Sequence, residues 1–148
     1  MKVWADTVDR RATQSEAAVD RAPPLAPSDP VIDLAHLARM TLGERELECE
    51  VLDLFDRQAG MLLARMACEA PRVVGALAHT LSGSARGIGA WKVAEAATEV
   101  ERLTRPSGAI ALTGAMDRLA AAVSETRAAI AELLRDRLGQ PASVTATR

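Results

Sequence analysis

Apolar residues recur along this chain at intervals of three and four, the spacing of one face of an α-helix. The clearest run is residues 71–90, PRVVGALAHTLSGSARGIGA. Val74, Leu77, Ala78, Leu81, Ala85 and Ile88 fall within one stripe when each residue advances by about 100°. Pro71 suits the first turn, because its missing N–H has no helical partner there anyway. Gly87 and Gly89 predict a left-handed cap and a sharp reversal at the other end. Upstream, Asp33 is a fair N-cap for a short helix reaching Met40, with Leu34 and Leu37 inward and Thr41-Leu42-Gly43 ending it. A longer helix is predicted from Glu44 to about Cys68, burying Leu47, Val51, Leu54, Phe55, Leu62 and Met66. After the reversal, a helix from Ala90 to Arg105 buries Trp91, Val93, Ala97 and Val100. Pro106-Ser107-Gly108 has the chemistry of a turn. The last helix, Ala109 to Leu138, carries Met116, Leu119, Val123, Ile130, Leu134 and Leu138 inward, and Gly139 and Pro141 stop it.

Long amphipathic helices joined by short turns predict an all-α fold, an antiparallel four-helix bundle with a short additional N-terminal helix as a lid. The predicted bundle covers residues 31–139. Residues 1–30 read as a disordered tail whose prolines, from Pro23 to Pro30, make an extended linker. Trp4 stands out there as an isolated exposed aromatic. Residues 140–148 read as a mobile C-terminal tail.

Composition supports helices over sheet. Nearly half the 148 residues (49%) are hydrophobic, yet the aromatics are two Trp and one Phe with no Tyr, leaving a core of Ala, Leu and Val. A net charge of −2 with interspersed signs argues against a nucleic-acid binder, which needs a basic face. No apolar run approaches the roughly 20 residues that span a bilayer, and the amino terminus has no apolar core of a secretory signal. Cys49 and Cys68 fit reduced thiols in a cytosolic protein, and are too few and poorly spaced for structural zinc. Glu44, Glu46, Glu48 and Glu50 invite a metal reading, but di-iron bundles need Glu-x-x-His pairs. Neither His36 nor His79 has a glutamate three residues before it. The acidic run is read as a solvated face, and His36 as a solvated or half-buried helix position.

His79 is different. It lies about 150° from the centre of the apolar stripe, so it is predicted to face outward. Around it are Gly75 and Ala76 a turn before, and Ser82 and Gly83 a turn after. A helix needing only a solvated face is expected to carry Lys, Glu or Arg there, and each glycine costs it about 1 kcal/mol relative to alanine. Small residues around an outward imidazole predict close approach by something large. Arg72 and Arg86, two turns to either side, are the only cations read on that face, and they could steer a phosphorylated or acidic partner. No nucleotide-binding loop is present, and no sequence-local carboxylate orients the histidine.

Ala78-His79-Thr80-Leu81-Ser82-Gly83, followed by Gly87-Ile88-Gly89-Ala90, resembles the phosphoacceptor helix of histidine-containing phosphotransfer (HPt) domains, A-H-x-L-K-G and then G-A. His79, Leu81, Gly83 and Gly89-Ala90 match, while Ser82 stands where the family usually has lysine. Less specifically, Glu46-Leu47 and Leu54-Phe55 resemble the family's preceding helix, and Ala94 to Glu101 its following A-x-x-x-E-x-x-E stretch. The resemblance covers about residues 31–138.

It implies a cytoplasmic phosphorelay intermediate that works as a monomer and is a carrier, not an enzyme. His79 would accept a phosphoryl group and exchange it with the aspartate of a response-regulator receiver domain, or take it from a hybrid histidine kinase. Gly75, Ala76, Ser82, Gly83, Arg86 and Arg72 would form the docking face. The chain would hold no cofactor, and the receiver would bring Mg²⁺ in its acidic pocket. With serine at 82 transfer should be slower, or the phosphoryl group held for a different time, and Ser82→Lys should speed transfer several-fold. The alternative is a degenerate HPt-like adaptor that binds a receiver or kinase without phosphotransfer. A truncated histidine-kinase stem is a weaker third reading, since no ATP-binding domain is present.

Overall fold

The computed structural model describes residues 30–139. The tails expected over 1–30 (but for Pro30) and 140–148, with Trp4, lie outside the described residues. Within them every regular element is helical: α1 (Leu34–Met40), α2 (Arg45–Met66), α3 (Pro71–Ile88), α4 (Trp91–Leu103), a 3₁₀ turn (Pro106–Gly108) and α5 (Ala109–Gly139). The four longer helices touch in a closed ring, α2 on α3, α3 on α4, α4 on α5 and α5 on α2, and α1 rests on α3.

Helix α3 is the most regular. All six residues of its predicted stripe are buried. Gly89 ends it at φ 79°, ψ 24°, where a side chain would be strained. The Ala90 N–H then bonds the Ala85 carbonyl at 2.9 Å, closing the expected left-handed cap. A two-residue reversal follows, so α4 returns along α3 and buries Val93, Ala97 and Val100 as predicted; Trp91 is half-buried.

In α2 the phase differs from expectation. Phe55 and Met66 are buried, but Leu54 is 58% exposed and Leu47 is exposed too, whereas Leu52, Ala59 and Glu48 face inward. This helix carries two apolar arcs. The inner one is set by what it packs against, not by the larger side chains. Glu48 therefore leaves the solvated acidic run: its carboxylate accepts from Thr41 Oγ1 at 3.3 Å and pairs with Arg137 of α5. A buried carboxylate needs such partners. Because Arg137 faces Glu48, Leu138, about 100° further round, is exposed instead of inward.

Helix α1 is pinned at the reversal. The Asp33 N–H bonds the Gly89 carbonyl at 2.9 Å, and Asp33 Oδ1 accepts from the His36 N–H at 3.0 Å as a true N-cap. Trp91 Nε1 donates to Asp33 Oδ2 at 3.1 Å. His36 is half-buried, edge-on to Trp91, with Nε2 2.8 Å from the Arg86 carbonyl. With His36 facing α3, Leu34 turns about 200° away and is exposed, contrary to its predicted place inside.

Candidate functional site

His79 stands on α3 with a side chain 76% exposed. Its Nδ1 lies 3.2 Å from both Oε1 and Oε2 of Glu101, on α4. A carboxylate can only accept, so Nδ1 carries the proton in this arrangement. In the neutral ring, Nε2 is then left with its lone pair, unbonded and on the exposed side. A second-helix carboxylate thus fixes both tautomer and ring orientation, as in other oriented imidazoles.

No carboxylate near in sequence orients the histidine; one from the next helix does. Glu101 is 22 residues away. The hairpin geometry contains the signal: with the chain folded back at Ala90, residues equally far from it face one another. His79 lies eleven before and Glu101 eleven after; Ser82 and Thr98 lie eight to either side. The pairing is offset by one at Gly75, which lies fifteen before Ala90 and meets Thr104, fourteen after it; a β-carbon at 75 would stand 2.7 Å from Thr104 Oγ1.

That register corrects two residues of the expected exposed apron. Gly75 is buried under the end of α4. Ser82, 6% exposed, is also buried; its Oγ lies 3.0 Å from Thr98 Oγ1 and 3.3 Å from the Ala94 carbonyl. Both lie on the flank of α3 that α4 covers; Ser82 offers no surface beside the imidazole, and Gly75 contributes only to the lining of the cleft there. Ala76 and Gly83 are exposed, and a β-carbon at Gly83 would meet nothing within 4 Å. Arg72 is exposed. Arg86 is half-buried, with Nε 3.4 Å from Ser82 Oγ and Nη2 3.5 Å from Thr98 Oγ1.

A cleft of about 1430 Å³ opens beside His79 between α3, α4 and the 3₁₀ turn, with Arg72, Glu101, Arg102, Arg105 and Pro106 in its wall. Arg72 and Arg86 are therefore not the only cations near the histidine. Arg102 is already matched: its guanidinium grips Glu99 at 2.7 and 2.9 Å and holds that carboxyl below the usual carboxylate range. Among the described residues no cluster of three or more His, Cys, Asp or Glu side chains could hold a metal ion. No described helix is long and apolar enough to cross a membrane.

Neither curated proteins nor solved structures return a match to this chain. The family model described as "Hpt domain" matches residues 50–136, more than half of the chain, and so takes in α3, α4, His79 and Glu101. On that match, and with an all-helical fold, the chain belongs to the Hpt domain family.

Proposed function

We propose that this chain is a phosphorelay intermediate, accepting a phosphoryl group on His79 Nε2 and exchanging it with the aspartate of a response-regulator receiver domain. Family membership supports a phosphotransfer-related role in two-component signalling, since such domains are phosphocarrier modules. The observation that carries the finer reading is the contact of Nδ1 with both Glu101 oxygens, which leaves Nε2 nucleophilic and open to a partner.

The Nε2 lone pair forms the N–P bond, the acyl-phosphate P–O bond of the receiver breaks, and the aspartate carboxylate leaves with the electron pair. The ring gains positive charge while Nδ1 keeps its proton, and Glu101 stabilises that cation through a charge-assisted hydrogen bond. The reverse step returns the phosphoryl group to an aspartate. The receiver brings the acidic pocket and its Mg²⁺.

The closed ring of helix contacts supports an antiparallel four-helix bundle carrying α1 as its additional helix. In this reading Ala76 and Gly83 let the receiver approach, Arg72 and Arg86 steer it, and Gly75 and Ser82 act from beneath by setting the α3–α4 spacing. A hybrid histidine kinase is the other partner, a monomer suffices, and the cytoplasm is where both partners meet the chain. Incubation with a phosphorylated receiver domain from the same cell tests the proposal. Acid-labile, alkali-stable label on the chain is expected, and binding without label would favour an adaptor.

A further inference from the structure

We infer that Arg86 supplies the positive charge that offsets the phosphoryl group on His79, and that the Ser82 and Thr98 hydroxyls are its resting seat. The inference rests on the phosphotransfer reading above and assigns a residue to it.

Arg86 follows His79 by seven residues, two turns on, within about 20° of the same direction. Helical side chains lean toward the N-terminus, and this one does. Its Nε has come back to Ser82 Oγ (3.4 Å) and its Nη2 to Thr98 Oγ1 (3.5 Å). Ser82 is one turn from His79, a rise of about 4.5 Å, and Thr98 is one turn from Glu101. The guanidinium thus sits one level from the His79–Glu101 pair.

The hydrogens say how it is held. Thr98 Oγ1 donates to the Ala94 carbonyl at 2.8 Å. The Ser82 hydroxyl has acceptors in the same carbonyl at 3.3 Å and in Thr98 Oγ1 at 3.0 Å. Both hydroxyl hydrogens are committed within this bracket, so each oxygen offers Arg86 only a lone pair. These are long, neutral contacts. Arg57, Arg65, Arg102, Arg127 and Arg137 each hold a carboxylate. Among the described residues Arg86 has none within ion-pair distance, so its charge is uncommitted; Arg72 and Arg105 of the cleft have none either, but of the three Arg86 is the one seated against Ser82 and Thr98. An anion arriving on Nε2 offers it charge-assisted hydrogen bonds about twice as strong as neutral ones. Ser82 is then a positioning residue, seating this arginine where its own side chain is too buried to bring a charge.

Single-turnover labelling of the full chain tests this, using two donors at low and high salt. Phosphoramidate is one; its P–N bond breaks and ammonia leaves as the N–P bond to His79 forms. A phosphorylated receiver domain is the other. Arg86→Gln should slow labelling about two- to fivefold with both donors at low salt. The gap should close as salt rises, and Arg86→Lys should recover most of the rate. A structural role at the end of α3 would lower the melting temperature without that salt dependence or rescue. Equal rates for wild type and Arg86→Gln, with His79 labelled in both, would overturn the inference and leave the phosphotransfer reading standing. Slowing with the receiver alone would overturn it too, making Arg86 a docking residue. A wild type that takes label from neither donor would overturn both readings.

Discussion

A β-carbon on Gly75 would stand 2.7 Å from Thr104 Oγ1, closer than any real side chain tolerates. Thr104 cannot easily turn away, because its hydroxyl donates to the Glu101 carbonyl at 2.7 Å. Gly75 therefore sets how closely α4 approaches α3, and with it the reach of Glu101 to His79.

Gly75→Ala brings two opposing effects. Helix propensity favours alanine by about 1 kcal/mol, while overpacking costs about 1–3 kcal/mol. The variant should melt lower and label more slowly as Glu101 is displaced. Thr104→Ala removes the offending oxygen, so Gly75→Ala should cost much less in that background. A double-mutant cycle by thermal or urea melts reads the coupling, and additive effects would contradict it.

Gly83 is the opposite case, with open space around its missing β-carbon. Gly83→Arg should fold as well as wild type or gain up to about 1 kcal/mol in helix propensity. It should nonetheless abolish or strongly slow transfer from a receiver by bulk at the docking face. Unchanged transfer would remove Gly83 from that face.

Ser82→Lys reverses the expectation drawn from the sequence alone. With Ser82 6% exposed and hydrogen-bonded to α4, a lysine must thread its stem past Thr98 and meet Arg86 as a like charge. We expect a loss of about 1–3 kcal/mol and no several-fold acceleration. Faster transfer with an unchanged melting temperature would show that a side chain at 82 reaches the phosphoryl group directly.

Asp33 makes α1 sensitive to acid. The His36 N–H first, and then the Trp91 indole, hold its carboxyl below its ordinary 3.8. The folded value is depressed, so its stabilising contribution is complete above about pH 3.8 and is lost as pH falls through the lower folded value. In a Trp4→Phe background, Trp91 fluorescence should change over that window before the helices melt. Asp33→Asn should flatten this early change. An identical acid profile in the variant would contradict the assignment.

Helix α3 was legible residue by residue because its stripe is strictly periodic and its ends carry Pro71 and Gly89. The phase of α2 was not, since choosing Leu52 and Ala59 over Leu47 and Leu54 requires knowing that Glu48 meets Arg137, 89 residues away. At the site, the exposed imidazole was legible from helical phase. Its carboxylate partner was not, because Glu101 joins it only through the fold of the α3–α4 hairpin. The same hairpin removes Gly75 and Ser82 from the surface that a lone helix would show.

The central claim is that His79 carries the phosphoryl group. It is tested most directly by incubating wild type and His79→Gln with the same labelled, phosphorylated receiver domain. The His79–Glu101 pair is exposed and its loss should move stability by no more than about 0.5 kcal/mol, so both proteins enter the assay folded. Acid-labile, alkali-stable label on wild type and none on His79→Gln is the predicted result. Label persisting on His79→Gln would contradict it.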